Sequence, residues 1–337
     1  MNLVEALLDP AAYPEPTDTV ELVQTHISWV FLTASHAYKL KKPVDLGFLN
    51  FTTLRRRHYY LKQELALNRR LCPEIYLAVL PVCVRGGGVK VGGGGRPLDY
   101  VLRMVRLPQE RMMDEVADRE GLSRDIMDRI IDRLVPFYRQ AATGPRINRF
   151  GSPRMIAYNH EENFSRIAKC VGRLLSRELF EEIRTFARDF LARHRELFRR
   201  RIKEGRIRDC HGDLHMKNIC LADGVYIFDC IEFNPRFRYG DVAADIDFLA
   251  MDLDFHGFRD LSRYFVERFA AASRDLELLT VVDFYKCYRA CVRGKINAVA
   301  ATEPELPRAA REEARRLARA YFRLAGEYAA EGARWLA

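Results

Sequence analysis

The residues best suited to chemistry lie in His211-Gly212-Asp213-Leu214-His215-Met216-Lys217-Asn218, with Asp229 eleven positions further on. An acid is followed by an amide five residues later, and the apolar run Val225-Tyr226-Ile227-Phe228 then delivers a second acid. Asp213 can orient and deprotonate a hydroxyl. Asn218 and Asp229 both offer oxygen, the donor that the hard ion Mg²⁺ prefers, and could hold it on the phosphates of ATP. Phosphoryl transfer asks for positioning and charge neutralisation more than covalent help, so this set is its minimum kit. Each of these residues alone is an ordinary turn former. Their combination, at these offsets and ahead of a strand-borne acid, is what points to catalysis.

Such a reaction also needs a cation on the nucleotide phosphates. Ala37-Tyr38-Lys39-Leu40-Lys41-Lys42-Pro43 reads as a strand, with Lys39 and Lys41 on one face and Lys42 on the other. Solvated lysines on an edge strand are the bland alternative, as good as the functional one for Lys39 and Lys42. Glu64 falls inside the helical apolar stripe Tyr60, Leu61, Leu67 and Leu71. A carboxylate there is costly unless paired. A Lys–Glu pair that positions phosphates would resolve the cost, and a boundary glutamate reaching solvent would avoid it.

The elements that must position these groups follow from pattern. Two β-rich runs, Val20 to Leu32 and Ala37 to Lys42, flank the turn Thr33-Ala34-Ser35-His36, and 52–71 reads as a helix starting near Thr52 or Thr53. Ile75 to Val84 and Asp99 to Arg106 read as further strands. Between them, the glycine-rich Gly86 to Gly95 lacks the Gly-Lys-Ser/Thr ending of a P-loop and no helix follows it, so it reads as a hairpin tip. Beyond Leu107-Pro108 the periodicity predicts helices at about 110–118, 123–142, 159–174, 177–203, 240–253, 258–273, 276–301 and 307–330. Short strands are predicted near Ile219 to Leu221 and Val225 to Phe228.

Composition narrows the class. The 337 residues are 48% hydrophobic and 30% charged, as in soluble globular proteins, and no apolar run reaches the roughly 18–20 residues of a membrane helix. The opening Met1-Asn2-Leu3-Val4-Glu5 has no basic segment, which argues against a signal peptide. None of the eight cysteines forms a Cys-x-x-Cys pair, which favours reduced, packed thiols in a cytoplasm over a zinc site or disulfide framework. The net charge of +9 is mostly arginine, scattered and interleaved with acids; this favours solvated helix faces over a nucleic-acid surface.

Taken together, the motifs resemble the aminoglycoside phosphotransferase-like family, which shares the protein-kinase and choline-kinase fold. His211 to Asn218 resembles its His-Gly-Asp-x-His-x-x-Asn loop, Ile227-Phe228-Asp229-Cys230-Ile231-Glu232 its metal-binding strand end, and Gly240-Asp241-Val242-Ala243-Ala244-Asp245 the following helix start. Thr25 to Leu32, Tyr38 to Asp45 with Gly47-Phe48-Leu49, and Phe228 to Asn234 are similar to a bacterial subgroup of kinase-like proteins. In many of these an AAA-type ATPase domain follows the kinase-like one. This chain has no Walker-A sequence and reads as a stand-alone version, for which a separate ATPase partner is conceivable.

The resemblance implies an α+β, bilobal protein-kinase-like fold: a nucleotide-binding lobe over 1–106 with an antiparallel sheet and one main helix, and a mostly helical lobe over 107–337 carrying the catalytic loop and acceptor site. It implies an ATP- and Mg²⁺-dependent kinase acting on a hydroxyl of a small molecule. Asp213 would be the catalytic base or orienting acid, and Asn218 and Asp229 the metal ligands. Lys41, favoured over Lys39, would hold the phosphates with Glu64 as partner. Leu102-Arg103-Met104-Val105-Arg106 would be the hinge touching adenine, with Thr33 to His36, which has no glycine, over the phosphates. His211 and His215 support the loop, Asp245 braces it from below, and Asp241 reads as a helix N-cap. His215 stands where protein kinases carry a basic residue, which argues against a protein substrate. Two other classes compete: a regulatory nucleotide-binding module without turnover, and a metal-dependent hydrolase built on His211, Asp213 and His215.

Overall fold

The computed structural model describes residues 2–47 and 49–336; Met1, Phe48 and Ala337 lie outside the described residues, and with Phe48 part of the Gly47-Phe48-Leu49 motif. The chain forms two compact units. The first is Met1–Arg119 with Lys217–Pro235, and the second is Glu120–Met216 with Arg236–Ala337. The first unit therefore runs past residue 106 and takes back Lys217–Pro235, which begins inside the His211 to Asn218 loop.

The first unit is built on six strands: β1 (Glu21–Gln24), β2 (Ser28–Leu32), β3 (His36–Lys41), β4 (Tyr76–Arg85), β5 (Gly88–Val91) and β6 (Pro97–Val105). They make one antiparallel sheet in the order β1-β2-β3-β6-β4-β5. The single run expected from Val20 to Leu32 is thus two strands. The Thr25 hydroxyl breaks it by accepting the N–H groups of Ile27 and Ser28 at 3.3 and 3.0 Å, a side-chain-capped turn. The glycine-rich stretch is more than a tip. Gly86 and Gly87 turn the chain at φ 60° and 79°, and Val89 and Val91 then alternate into the core as an added edge strand.

Alternation gives the sheet two apolar faces. On one, Phe31, Tyr38, Leu40, Val82, Val89, Val91 and Val101 meet Leu7 and Tyr13 of the N-terminal segment. On the other, helix α1 (Leu54–Asn68) lays Leu61 against Tyr76 and Leu102. Thr53 starts α1 by accepting the Arg56 N–H at 3.3 Å. The strands β7 (Ile219–Leu221) and β8 (Val225–Ile227) pair antiparallel. The β8 end docks on α1 and β4: Cys72 Sγ donates to the Ile227 carbonyl at 3.0 Å, and Phe228 and Tyr226 join the Leu61 cluster.

The second unit is helical apart from the short pair Ile207–Asp209 and Tyr239–Asp241. Its helices include α2 (Pro153–Ile167), α3 (Val242–Phe255) and α4 (Leu278–Ala300). The helix expected at 159–174 starts earlier because Ser152 caps the Met155 N–H ahead of Pro153. The one expected over 177–203 is two, Arg177–Arg193 and Arg195–Lys203, broken at His194, whose ring donates to the Trp335 carbonyl at 2.9 Å. Asp241 caps α3, as expected, by accepting the Ala243 N–H at 3.0 Å. At Gly294 of α4, a Cβ would come within 2.6 Å of the Phe322 ring, so the close approach of the C-terminal helix requires glycine there.

Candidate active site

In the first unit the lysine strand, helix α1 and the turn after β8 bring five ionisable groups together. Lys39 and Lys41 share a face of β3, as their spacing requires, and both reach Glu64 at 2.7 Å. The two then diverge. Lys39 also donates to Asp229 at 2.8 Å and keeps 13% of its side chain accessible; Lys41 donates to Glu232 at 2.5 Å and keeps none. The resemblance favours Lys41 as the phosphate lysine, but the structure encloses Lys41 between two buried carboxylates and gives Lys39 the contact with the candidate metal ligand. Lys42 lies on the opposite face, over the Trp29 ring.

Charge explains the protonation pattern. Burial would push both amines down, but Asp229 and Glu64 hold Lys39 well above its ordinary value, and Glu232 and Glu64 raise Lys41. Burial would likewise raise Glu64, but the two lysines beside it bring it below the usual carboxylate range. Three carboxylates against two ammonium groups leave one negative charge in excess. Glu232 absorbs the strain: burial and the neighbouring Glu64 outweigh Lys41 and push its carboxyl up.

Asp229 and Asn218 are placed by the β7–β8 pairing. Ile219 faces Ile227 in register, and the Phe228 N–H donates to the Asn218 carbonyl at 3.0 Å, so Asn218 and Asp229 flank the open end of the hairpin. Asp229 has a left-handed backbone, φ 63°, a conformation that costs most non-glycine residues about 1–2 kcal/mol and that aspartate and asparagine tolerate better than most. Tyr76 fixes it by accepting the Asp229 N–H at 3.1 Å, and Asn68 accepts the next N–H, Cys230, at 2.9 Å. The turn leaves the Asp229 side chain 45% exposed, the open end of an otherwise closed cluster. An amide residue and an exposed carboxylate at the same end of one hairpin, near two further carboxylates, offer the oxygen donors that a Mg²⁺ ion completed by phosphate oxygens and water would need. Among the described residues no group of three or more His, Cys, Asp or Glu is placed to hold a metal.

The second unit holds Asp213. Burial would raise its carboxyl, but His215 at 3.3 Å, with Arg293 and His211, holds it well below the usual carboxylate range. His211 is fully buried and its Nδ1 accepts the Asp213 N–H at 3.3 Å. Asp245 braces the loop, accepting the N–H groups of His211 and Gly212 at 2.6 and 2.9 Å together with the Tyr138 hydroxyl at 3.0 Å. Asp252, one helical repeat further along α3, accepts the Met216 N–H at 3.0 Å. Arg289 of α4 completes the brace, donating to the carbonyls of Ala244 and Gly212 and to Asp245.

The expected hinge is differently disposed. Met104 pairs with Ala37 on one side and Tyr76 on the other, so its backbone lies inside the sheet. The Arg106 guanidinium is committed to the Thr33 carbonyl and Glu21, and its N–H to Ser35. The strand leaves the ladders only at Leu107. The turn Thr33 to Ser35 sits at the opposite end of the β2–β3 hairpin from Lys41, whereas Thr25 to Ile27 is beside it: Ser28 pairs with Lys41, and Ile27 accepts the Lys42 N–H at 2.8 Å. Three contributors were not singled out from sequence: Glu232, Arg289 and Asp252. Glu232 alone had a signal, an acid in an otherwise apolar strand end.

Comparison with solved structures places this architecture. A choline/ethanolamine kinase family protein from Mesorhizobium loti superposes with a TM-score of 0.55 at 14% identity, covering 98% of this chain and 99% of that one. The fold is kinase-like. An amicoumacin kinase solved in complex with AMP-PNP and Ca²⁺ gives a TM-score of 0.51 at 15% identity, with 95% and 92% covered. An uncharacterized protein of Mycobacterium tuberculosis is 33% identical over 300 residues, 88% of this chain, and this chain spans 58% of that relative's length. No protein-family model matches the chain. Among the described residues no helix is long and apolar enough to cross a membrane.

Proposed function

We propose that the chain is an ATP-dependent phosphotransferase that moves the γ-phosphoryl group of ATP to a hydroxyl of a small molecule. The observation that carries this reading is Lys39 bridging Glu64 and Asp229: a buried glutamate fixes an ammonium group beside an exposed, left-handed aspartate at a strand end. In this reading Lys39 binds the phosphates, Glu64 orients it, and Lys41 with Glu232 forms the floor that keeps Glu64 in place. Asn218 and Asp229 would hold Mg²⁺, which when bound neutralises charge on the phosphate oxygens. The base would meet backbone at Leu107-Pro108, where β6 leaves the sheet.

Asp213 would accept the hydrogen bond of the acceptor hydroxyl. The hydroxyl oxygen attacks the γ-phosphorus, the bond to the β,γ-bridging oxygen breaks, ADP leaves with that electron pair, and the hydroxyl proton passes to the Asp213 carboxylate. Its low pKa makes Asp213 an orienting acceptor first and a base only late in the step, which suits a loose transition state. The solved kinases with this fold support the reading through their small-molecule substrates; a separate ATPase partner has no such support.

The test is thermal unfolding with and without Mg-ATP for the wild type and Asp229→Asn, followed by an acceptor screen. Nucleotide at about 100 times its dissociation constant adds roughly 2.7 kcal/mol of stability. A magnesium-dependent shift that Asp229→Asn abolishes is expected. Absence of any shift in the wild type would refute a nucleotide site.

A further inference from the structure

Away from the Asp213 loop, the helical unit gathers basic groups around one buried amide. Lys295 of α4 donates to Asn163 Oδ1 of α2 at 2.5 Å. Among the described residues no carboxylate lies within ion-pairing distance of that amine, and the charges nearest it are those of Arg166 and Arg236, both positive. Burial and these two guanidinium groups push Lys295 down to about 8. Arg236 is itself held in place, donating to Asn159 at 3.0 Å and to Glu162. Asn163 is 4% exposed, and its Nδ2 has no hydrogen-bond partner. Turning the amide over would set its NH₂ against the Lys295 ammonium, so the lysine fixes which atom is left over. The Tyr288 hydroxyl lies close to the amide.

A half-buried amine without a counter-ion, the fixed Arg236 guanidinium, the exposed positive charge of Arg166 and a buried amide N–H without a formed hydrogen bond are what an oxyanion needs and what a cationic ligand cannot use. We infer that Lys295, Asn163 and Arg236 form a binding site for a small oxyanion, a carboxylate or a phosphate. Its identity as the acceptor's anchor rests on the phosphotransferase reading. The groups assigned to the nucleotide lie on the first unit. This cluster shares the second with Asp213, and α4 carries both Lys295 and Arg289, whose guanidinium holds Gly212. The acceptor class is then a small hydroxyl compound bearing an acid group rather than an amine.

The test is a ligand-observed NMR titration of inorganic phosphate, and separately of acetate, into the full chain as wild type, Lys295→Met and Lys295→Arg. At least one anion is expected to bind the wild type. Lys295→Met should weaken it roughly tenfold or more, the loss of one charge-assisted hydrogen bond. Lys295→Arg should largely restore binding. Which anion binds more tightly separates a carboxylate acceptor from a phosphorylated one. Failure of both anions to bind, or equal binding by the wild type and Lys295→Met, would overturn the site. Mg-ATP stabilisation is measured on the same samples. Its absence alongside intact anion binding would sink the phosphotransferase reading and leave the anion site standing.

Discussion

Lys39 and Lys41 lie two residues apart on one face of β3 but in different surroundings, and Lys41→Met separates them. Lys41 is fully buried between Glu64 and Glu232, whose side chains are 0% and 5% exposed. Removing its ammonium leaves two interior carboxylates to share Lys39, and deleting one partner of a buried pair costs about 3–5 kcal/mol. Glu232 is already pushed toward its protonated form and can take a proton when Lys41 goes, so the loss should sit near the lower end, about 3 kcal/mol. At roughly 2–4 °C per kcal/mol, the unfolding transition falls by about 10 °C. Lys39→Met should cost less: Glu64 keeps Lys41, and water can solvate the half-exposed Asp229. Its damage should appear instead as loss of the Mg-ATP shift. The double variant Lys41→Met with Glu232→Leu replaces a charged pair by apolar groups and should recover most of the stability. Thermal unfolding of the four proteins with and without Mg-ATP decides the matter. If Lys41→Met unfolds like the wild type but ignores Mg-ATP while Lys39→Met responds normally, Lys41 is the phosphate lysine and the argument from burial is wrong.

Two more perturbations probe the second unit. Asp245→Ala strips acceptors from the N–H groups of His211 and Gly212 and from Tyr138, each orphaned buried donor costing about 1–3 kcal/mol; phosphoryl transfer should collapse while Mg-ATP binding persists, and a variant that transfers normally would show that the loop needs no brace. His160 is buried against Phe284 and Tyr288, and burial pushes its pKa down to about 3. The folded chain therefore refuses a proton that the unfolded chain takes at about 6.5, so stability is full above that pH and falls as pH drops toward 3, by roughly 5 kcal/mol in all. His160→Phe should flatten that part of an acid-unfolding curve, and an unchanged slope would place the acid sensitivity elsewhere.

Much of this arrangement was legible in the residues because it depends on short-range geometry. The strand placing Lys39 and Lys41 on one face, the helical stripe bringing Glu64 inward, and the hairpin aligning Asn218 with Asp229 are all consequences of periods of 2 and 3.6. What periodicity does not carry is depth. Lys39 and Lys41 are equivalent on a strand; only the turn after β8, which delivers Asp229 to one and Glu232 to the other, makes them different. That turn depends on Tyr76 and Asn68, more than 150 positions away in the chain. Arg289 and Asp252 were invisible for the same reason: an arginine and an aspartate on helices look like surface residues until the helix is placed. The stretch that the resemblance assigns to the hinge belongs largely to β6, which runs on to Val105 between two strands.

The excess carboxylate in the lysine cluster ties these points to function. A cluster built only for stability would balance its charges, since every uncompensated charge in a low-dielectric setting raises the energy of the fold. Here Lys39 and Lys41 fall one positive charge short of Glu64, Glu232 and Asp229; burial raises the Glu232 carboxyl, and Asp229 is the one of the three that faces solvent. Asp229 is also the residue whose backbone is held in the left-handed region, by hydrogen bonds to its own N–H and the next. A strained, exposed and under-neutralised carboxylate is poor design for a core. It suits a site completed by a divalent cation from solution, whose charge would match the deficit once phosphate oxygens arrive. Asp229→Asn removes that excess charge, so it should stabilise the first unit in metal-free buffer, or leave it unchanged, while abolishing the response to Mg-ATP. A variant that instead lost stability in the absence of metal would mean that Asp229 is there to neutralise Lys39 and not to await a cation.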